Sequence, residues 1–544
     1  MKPLSGTTLG IIDEIYDEFS TSGWIFSNRK KLEKLLLKIE ESGEVLAIRN
    51  LLPFVLNTNK ANALLTAQTI DKLLTQVPIT ELAQLDEQMR IFYDRTGHSH
   101  WQNVHLQQIS KLENFGDFTT SLLAVSSFHN SGFIREIAIS ALAKIGDGFE
   151  LPYLLIRVND WVANVQAIAK QALLSRIVSE YARYFVWNLP LILRLESCGR
   201  ADHTELITSV QSLLQQKENA KFLLEGCQSE NLTIRRASFG IAFQAPDTEI
   251  NQQAIEIGIL DKDFLIRVWS TRKINLLSES DKLEKAVSIL KNDPFMPIRR
   301  LTLTNLVHTL PDRAIIELRQ ALLDNHASIR DLSRFYLRKM QPMDFPAFYR
   351  TILSEGKEGH IYSSISGLGE TGIAEDDILI SPFVTHRFVK IRVASLRSLA
   401  KLNVHKHITT FLKALEDESP KVSREAARAL SFSRAFIQYN DEIWKLVTHD
   451  SSPHVKENAL SLMATLSKWD SLVYLLRAVE LQEHFVRQYA QVCIKRWLSS
   501  YNQSFTQPTE KQIKEIRGIF NDIEATLNKY SKSNLELIIR SFEE

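Results

Sequence analysis

A short pattern that returns about every 31 positions constrains this chain more than any other feature. Ile234-Arg235-Arg236-Ala237-Ser238 is echoed by Ile266-Arg267-Val268-Trp269-Ser270, Ile298-Arg299-Arg300-Leu301-Thr302, Ile329-Arg330-Asp331-Leu332-Ser333 and Ile391-Arg392-Val393-Ala394-Ser395. Val422-Ser423, Val455-Lys456 and Val486-Arg487 open three further copies, while Ile134-Arg135 and the weaker Val165-Gln166 stand upstream. From Arg235 the second position recurs at 267, 299, 330, 392, 423, 456 and 487, in steps of 31 to 33 residues apart from one double step, and Ile361-Tyr362 lies halfway along that step. Self-similarity at this period marks a chain built by stacking one supersecondary unit. A single core usually stops growing near ~250–300 residues, so a chain of 544 residues needs either that route or several domains.

Within a copy the apolar residues fall at helical intervals. Ile134, Ala138, Ala141, Leu142 and Ile145 share one stripe, and Glu136, Ser140 and Lys144 face away. A preceding stripe, such as Ile315 to Leu322, supplies a first helix. Each unit is therefore a helical hairpin that buries its apolar face only against its neighbours. Composition agrees, because the chain holds just 19 Gly and 15 Pro, below the roughly 7% and 5% of average usage.

An acid stands six residues before the basic position in several copies: Asp261 before Arg267, Asp293 before Arg299, Asp324 before Arg330 and Asp450 before Lys456. Asp160 before Gln166 and Asp417 before Ser423 keep only the acid. On these residues the chain resembles HEAT repeats, particularly the short bacterial type named after phycocyanobilin-lyase subunits, over about residues 105–500. The resemblance implies an all-α, right-handed α-solenoid (superhelix) of HEAT-like hairpins, in which turn Asp and helix Arg form a polar ladder between repeats. It implies little about activity, since the family serves many functions. The turn Asp is expected where an N-cap acceptor is wanted, and an exposed Asp–Arg pair contributes only ~0.2–1 kcal/mol.

Three regions follow. Residues 1–100 are expected to form an N-terminal helical region that caps the solenoid, with a hint of a repeat only from Leu51 to Leu74. Residues 101–500 carry the repeats, with an irregular aromatic segment near 177–200, where Tyr181 to Trp187 reads as a longer helix. Residues 501–544 read as a C-terminal helical cap with polar outer faces.

Charge excludes a general polyanion binder, because 65 Lys+Arg face 64 Asp+Glu. Three scattered cysteines, Cys198, Cys227 and Cys493, give no disulfide framework or zinc spacing. The acidic start resembles no secretory signal, and no apolar run reaches membrane-span length. The expectation is a soluble cytoplasmic protein.

Each candidate for chemistry has a plainer reading that outweighs it. Gly367-Leu368-Gly369-Glu370-Thr371-Gly372 matches a dinucleotide-loop string, but it follows a repeat helix where a strand is required. His98, His100 and His105, with Asp94, invite zinc, as do His405 and His407, yet none has a partnering cysteine or metalloprotease string. Cys198 near Arg200 and His203 has no orienting third group in sequence. Trp161, Trp187 and Trp269 could stack a flipped base, as in HEAT-like DNA glycosylases, but Trp161 and Trp269 fit the core stripe. No catalytic, cofactor or metal residues are assigned.

Basic residues beside the stripe are the remaining candidates. Arg236, Arg272, Arg300, Arg397, Arg424 and Arg428 could form a ridge for an anionic partner, with Arg424 and Arg428 as i,i+4 neighbours. Glu370, Glu375, Asp376 and Asp377 make an acidic patch just before the locally basic stretch 381–440. The leading expectation is a non-enzymatic scaffold that binds protein partners. A bilin lyase-like chromophore-handling subunit and a nucleic-acid-binding or DNA-repair protein are the alternatives.

Overall fold

A computed structural model describes residues 3–21, 29–90, 100–449 and 451–542. Among the described residues there are 33 α-helices and no strand, as the periodicity requires. Contacts divide the chain into two compact units, Met1–Leu301 and Thr302–Glu544. That division falls inside the stretch expected to be one array.

In the amino-terminal unit the hairpins follow the repeat. Thr119–Ser127 pairs with Gly132–Leu142, and Leu151–Arg157 pairs with Ala163–Leu174. Ala220–Cys227 likewise pairs with Leu232–Ala242, and Thr248–Gly258 with Phe264–Arg272. The second helices of the first two hairpins lie against each other, so the stripe Ile134, Ala138, Leu142 is sealed by the next unit. The expected repeat near Leu51–Leu74 is a hairpin of Ile48–Asn57 and Lys60–Thr75.

The aromatic segment differs from expectation. It is two short helices, Ala182–Trp187 and Leu189–Leu195, rather than one long one. Pro190 has no N–H for an interior helical bond. The break is sealed by Asn188, whose side-chain amide donates to the Tyr184 carbonyl at 2.8 Å.

The carboxy-terminal unit repeats the scheme with second helices Glu358–Thr371, Val389–Asn403, Pro420–Ser433 and Pro453–Met463, each packed on the next, the first three longer than their amino-terminal counterparts. The last helices, Glu510–Ile523 and Lys529–Arg540, bury Ile516, Phe520, Ile523 and Leu535, but their outer face also exposes Tyr530 and Leu537. It is less polar than a pure cap would be.

The glycine string acquires its explanation here. Gly367 and Gly369 lie inside the helix Glu358–Thr371, and only Gly372 ends it. A Cβ on Gly367 would stand 2.3 Å from the ring of Tyr349. That ring is fully buried, with its hydroxyl donating to the Leu322 carbonyl at 3.0 Å, so it cannot swing aside. Gly367→Ala is expected to destabilise the carboxy-terminal unit by up to about 2 kcal/mol, overpacking of ~1–3 kcal/mol being set against the ~1 kcal/mol helix gain. Gly359→Ala, in the same helix but facing open space, is expected to stabilise it. Urea unfolding of both variants checks the pair; equal signs would refute the packing role.

Candidate functional site

The ladder is built from two recurring contacts. In several repeats a guanidinium Nη1 donates to the backbone carbonyl six residues earlier: Arg235 to Ser229 (2.8 Å), Arg267 to Asp261 (2.9 Å), Arg299 to Asp293 (2.7 Å) and Arg330 to Asp324 (2.7 Å). The same side chain then reaches the turn carboxylate of the next repeat. Arg135 meets Asp160, Arg235 meets Asp261, Arg267 meets Asp293 and Arg392 meets Asp417, at 2.7, 3.2, 2.7 and 2.8 Å.

Two expectations are corrected. The turn Asp is not the N-cap; it accepts from the backbone N–H two residues on, as Asp261 does from Asp263 (2.7 Å), and Asp263 then caps Ile266. The carboxylate two residues before the cap meets the ladder arginine of the preceding repeat, while the capping Asp263 meets the adjacent Arg236. Nor are the pairs exposed: the Arg135 and Asp160 side chains are 0% accessible. Removing one member of such a pair strands a buried charge, at about 3–5 kcal/mol rather than a surface value. The acid Asp450 lies outside the described residues.

Where the next turn offers no acid, the cation finds another. Gly356 occupies the acid position after Arg330, and Arg330 pairs with Glu370 from the second helix of the next repeat, joined by Arg334 at 2.8 Å. Leu481 occupies it after Lys456, which pairs with Glu483. Burial raises the Glu370 carboxyl, but the hydrogen bonds and charges of Arg330 and Arg334 outweigh this and hold it below the usual glutamate range.

One rung of the amino-terminal unit is elaborated. Asp160 receives not only Arg135 but also Arg157 (2.8 Å) and Arg90 (3.4 Å). Asp86 pairs with the same Arg157 and Arg90. Burial pushes the Asp86 carboxyl up against the pull of Arg157. Directly after Asp160 comes Trp161, which is 64% exposed. It does not lie in the core, contrary to the expectation from helical spacing. It occupies the turn, at the place held by Lys262, Pro294 and Glu418 in other repeats, where side chains project outward. Trp187 is also exposed, and Trp269 is half-buried. The guanidinium groups of Arg90, Arg135 and Arg200 lie 5.6, 5.8 and 5.7 Å from the Trp161 ring centre. Arg200 belongs to the loop after Leu189–Leu195 and also donates to the Asn159 carbonyl at 3.1 Å.

Trp161 belongs to a wider feature. Around the starts of several second helices, two to five residues ahead of the ladder position, this unit exposes Phe133, Trp161, Leu232, Phe264 and Phe295, at 36% to 73%. The Phe264 and Phe295 rings are in contact, 4.8 Å between centres. A small pocket opens beside this rim, lined by Cys227, Arg235, Leu260 and Lys262 among others.

The candidates from sequence fall as follows. Arg236 is paired with Asp263 at 2.7 Å, and Arg397 with Glu425 at 2.7 Å. Arg272, Arg424 and Arg428 are exposed, as is Arg300. Arg236, Arg272 and Arg300 belong to one unit, and Arg397, Arg424 and Arg428 to the other. His203 is buried with its ring against Asn159 (3.3 Å), so Cys198 gains no base from it. His100 stacks on Tyr16 and His105 belongs to a helix-capping pair with Gln108, while His98 and Asp94 lie outside the described residues. His407 meets Asp377 (2.8 Å), where Lys406 also docks. Among the described residues no group of three or more potential metal ligands occurs. None of their helices is long and apolar enough to cross a membrane.

Sequence reasoning missed the Trp161 cluster and the Glu370 clamp. The signal for the first was present: Trp161 follows a ladder acid, which makes it a turn residue before it is a stripe residue.

No family model and no curated protein matches this chain. Among solved structures it is similar to yeast importin-β (Kap95p), at 13% identity over 99% of both chains with a TM-score of 0.30. A mutant of Kap121p aligns at 12% identity over 97% of this chain and 72% of that one, TM-score 0.30. An importin β crystallised with polyethylene glycol aligns at 10% identity, covering 95% and 81%, TM-score 0.27. Likeness at this level leaves the fold to rest on the chain's own contacts.

Proposed function

We propose that the chain is a non-catalytic scaffold that holds another protein along the turn-side rim of its amino-terminal unit. The observation that carries this reading is the rim itself: Phe133, Trp161, Leu232, Phe264 and Phe295 are large, apolar and exposed near the starts of second helices, and the Phe264 and Phe295 rings touch. Single exposed apolar residues need no explanation, whereas contiguous ones mark interaction surfaces. A stack of hairpins suits this role because each repeat adds another contact to an extended surface.

The basic pair Arg424 and Arg428 supports a second docking surface for an anionic partner, since both are exposed and no carboxylate meets them among the described residues.

Affinity purification of the tagged full chain from its native cells tests the two surfaces. Wild type is expected to return a stoichiometric protein, lost with Phe264→Asp combined with Phe295→Asp but kept with Phe432→Asp, an exposed phenylalanine of the other unit. Retention by the rim pair, with an unchanged melting temperature, would refute the rim; loss with Arg424→Glu combined with Arg428→Glu instead would move the surface to the basic pair.

A further inference from the structure

We infer that Trp161 and Arg200 form a docking point for an acidic segment of a partner protein, one that carries an apolar side chain beside its carboxylates. This rests on the scaffold reading and names the partner chemistry at one end of the rim.

The charge count points to an anion. Arg90, Arg135, Arg157 and Arg200 surround the site, and the carboxylates in contact with them are Asp86 and Asp160. Both carboxylates are already saturated: Asp160 by Arg90, Arg135, Arg157 and the Val162 N–H (3.0 Å), Asp86 by Arg90 and Arg157. Arg200 is the cation left over. It meets no carboxylate among the described residues, and its contacts are the Asn159 carbonyl and the Trp161 ring. Held by those two, its guanidinium is pre-oriented, so an incoming carboxylate can form charge-assisted hydrogen bonds without first ordering a free side chain.

The apolar half of the site is equally defined. Trp161 presents its outer part to water, and Phe133, 73% exposed, lies close by. Gly132, next to Phe133, stands 2.9 Å (from its ideal Cβ) from Val162, next to Trp161. Only a residue without a side chain lets the two turns approach this closely. Tryptophan and arginine together in a rigid frame are the residue types that dominate binding hot spots.

A carboxylate is favoured over a stacked nucleobase because the cation left unpaired among the described residues is Arg200, which a carboxylate meets directly, whereas a stacked base would meet only the Trp161 ring. A carboxylate needs only the outward edge of Arg200.

Fluorescence anisotropy on the full chain provides the test, using fluorescein-labelled octapeptides. One alternates Glu and Leu, a second alternates Lys and Leu, and a third alternates Glu and Ser; oligo(dT) of eight nucleotides is the fourth probe. The Glu/Leu peptide is expected to bind saturably and tightest of the four. Trp161→Ala and Arg200→Glu should each weaken it by about tenfold or more, while Trp161→Phe stays within about threefold. Both residues are exposed, so melting temperatures should not move. Absence of saturable Glu/Leu binding, binding undiminished in both variants, or tighter binding of oligo(dT) would each overturn the inference. If the peptide fails while the Phe264 and Phe295 pair still loses the native partner, the scaffold reading stands and only this assignment falls.

Discussion

Asp160→Ala is expected to cost the amino-terminal unit about 3–5 kcal/mol, roughly twice the cost of the same change at the equivalent ladder acid Asp261. The difference follows from what each carboxylate leaves behind. Asp160 and Arg135 are wholly buried, and Arg157 beside them is nearly so. Deleting Asp160 therefore strands two buried guanidiniums with only Asp86 and backbone carbonyls to answer them. Asp261 serves a single arginine, Arg235, which keeps contact with water and its own turn carbonyls. There the loss should be about 1–3 kcal/mol, that of a charged hydrogen bond. Hydrogen exchange of the amides in 119–174, compared between the two variants, reads the local cost. Equal protection would show that the cluster around Asp160 adds nothing to an ordinary rung.

The second large effect concerns Glu370 and depends on pH. Because Arg330 and Arg334 hold its carboxyl below the unfolded value, Glu370 contributes stability that is fully present above the ordinary glutamate pKa of about 4.3. That contribution is lost as pH falls through the depressed folded value, since the unfolded chain then binds the proton more readily. Asp376, held down chiefly by Arg350 against its burial, and Asp377, held down by Lys406 and His407 against its burial, act in the same direction. Glu370→Gln should cost the carboxy-terminal unit about 1.5–3 kcal/mol at neutral pH. The gap between variant and wild type should close as the solution is acidified below about pH 4. Urea unfolding at neutral pH and in steps down the acid range checks it. A gap that stays constant across that range would mean the carboxylate charge is not what Glu370 supplies.

Helix positions were legible because they depend on short-range order. The stripe Ile134, Ala138, Ala141, Leu142 specifies a helix whatever surrounds it, and the repeat forces that helix against its copy. The ladder was legible for the same reason, since Arg267 and Asp293 stand in fixed register. Reading Trp161 by the stripe failed because it stands in the turn, where helical spacing carries no information. Reading Tyr181 to Trp187 as a longer helix failed because the helix stops at Trp187 and Pro190 stands in the first turn of the next, a break that apolar content does not reveal.

By itself, then, the amino-acid order determined the unit, its period and the side chains that face the next unit, because each follows from spacing along one helix or across one turn. Only the tertiary structure decided which carboxylate each buried cation meets. Arg330, with Gly356 where its acid should be, closes on Glu370, 40 residues away. Four arginines gather round two aspartates beneath an exposed tryptophan. Such choices depend on distance through space between elements whose separation in the chain varies, and no local pattern encodes that distance.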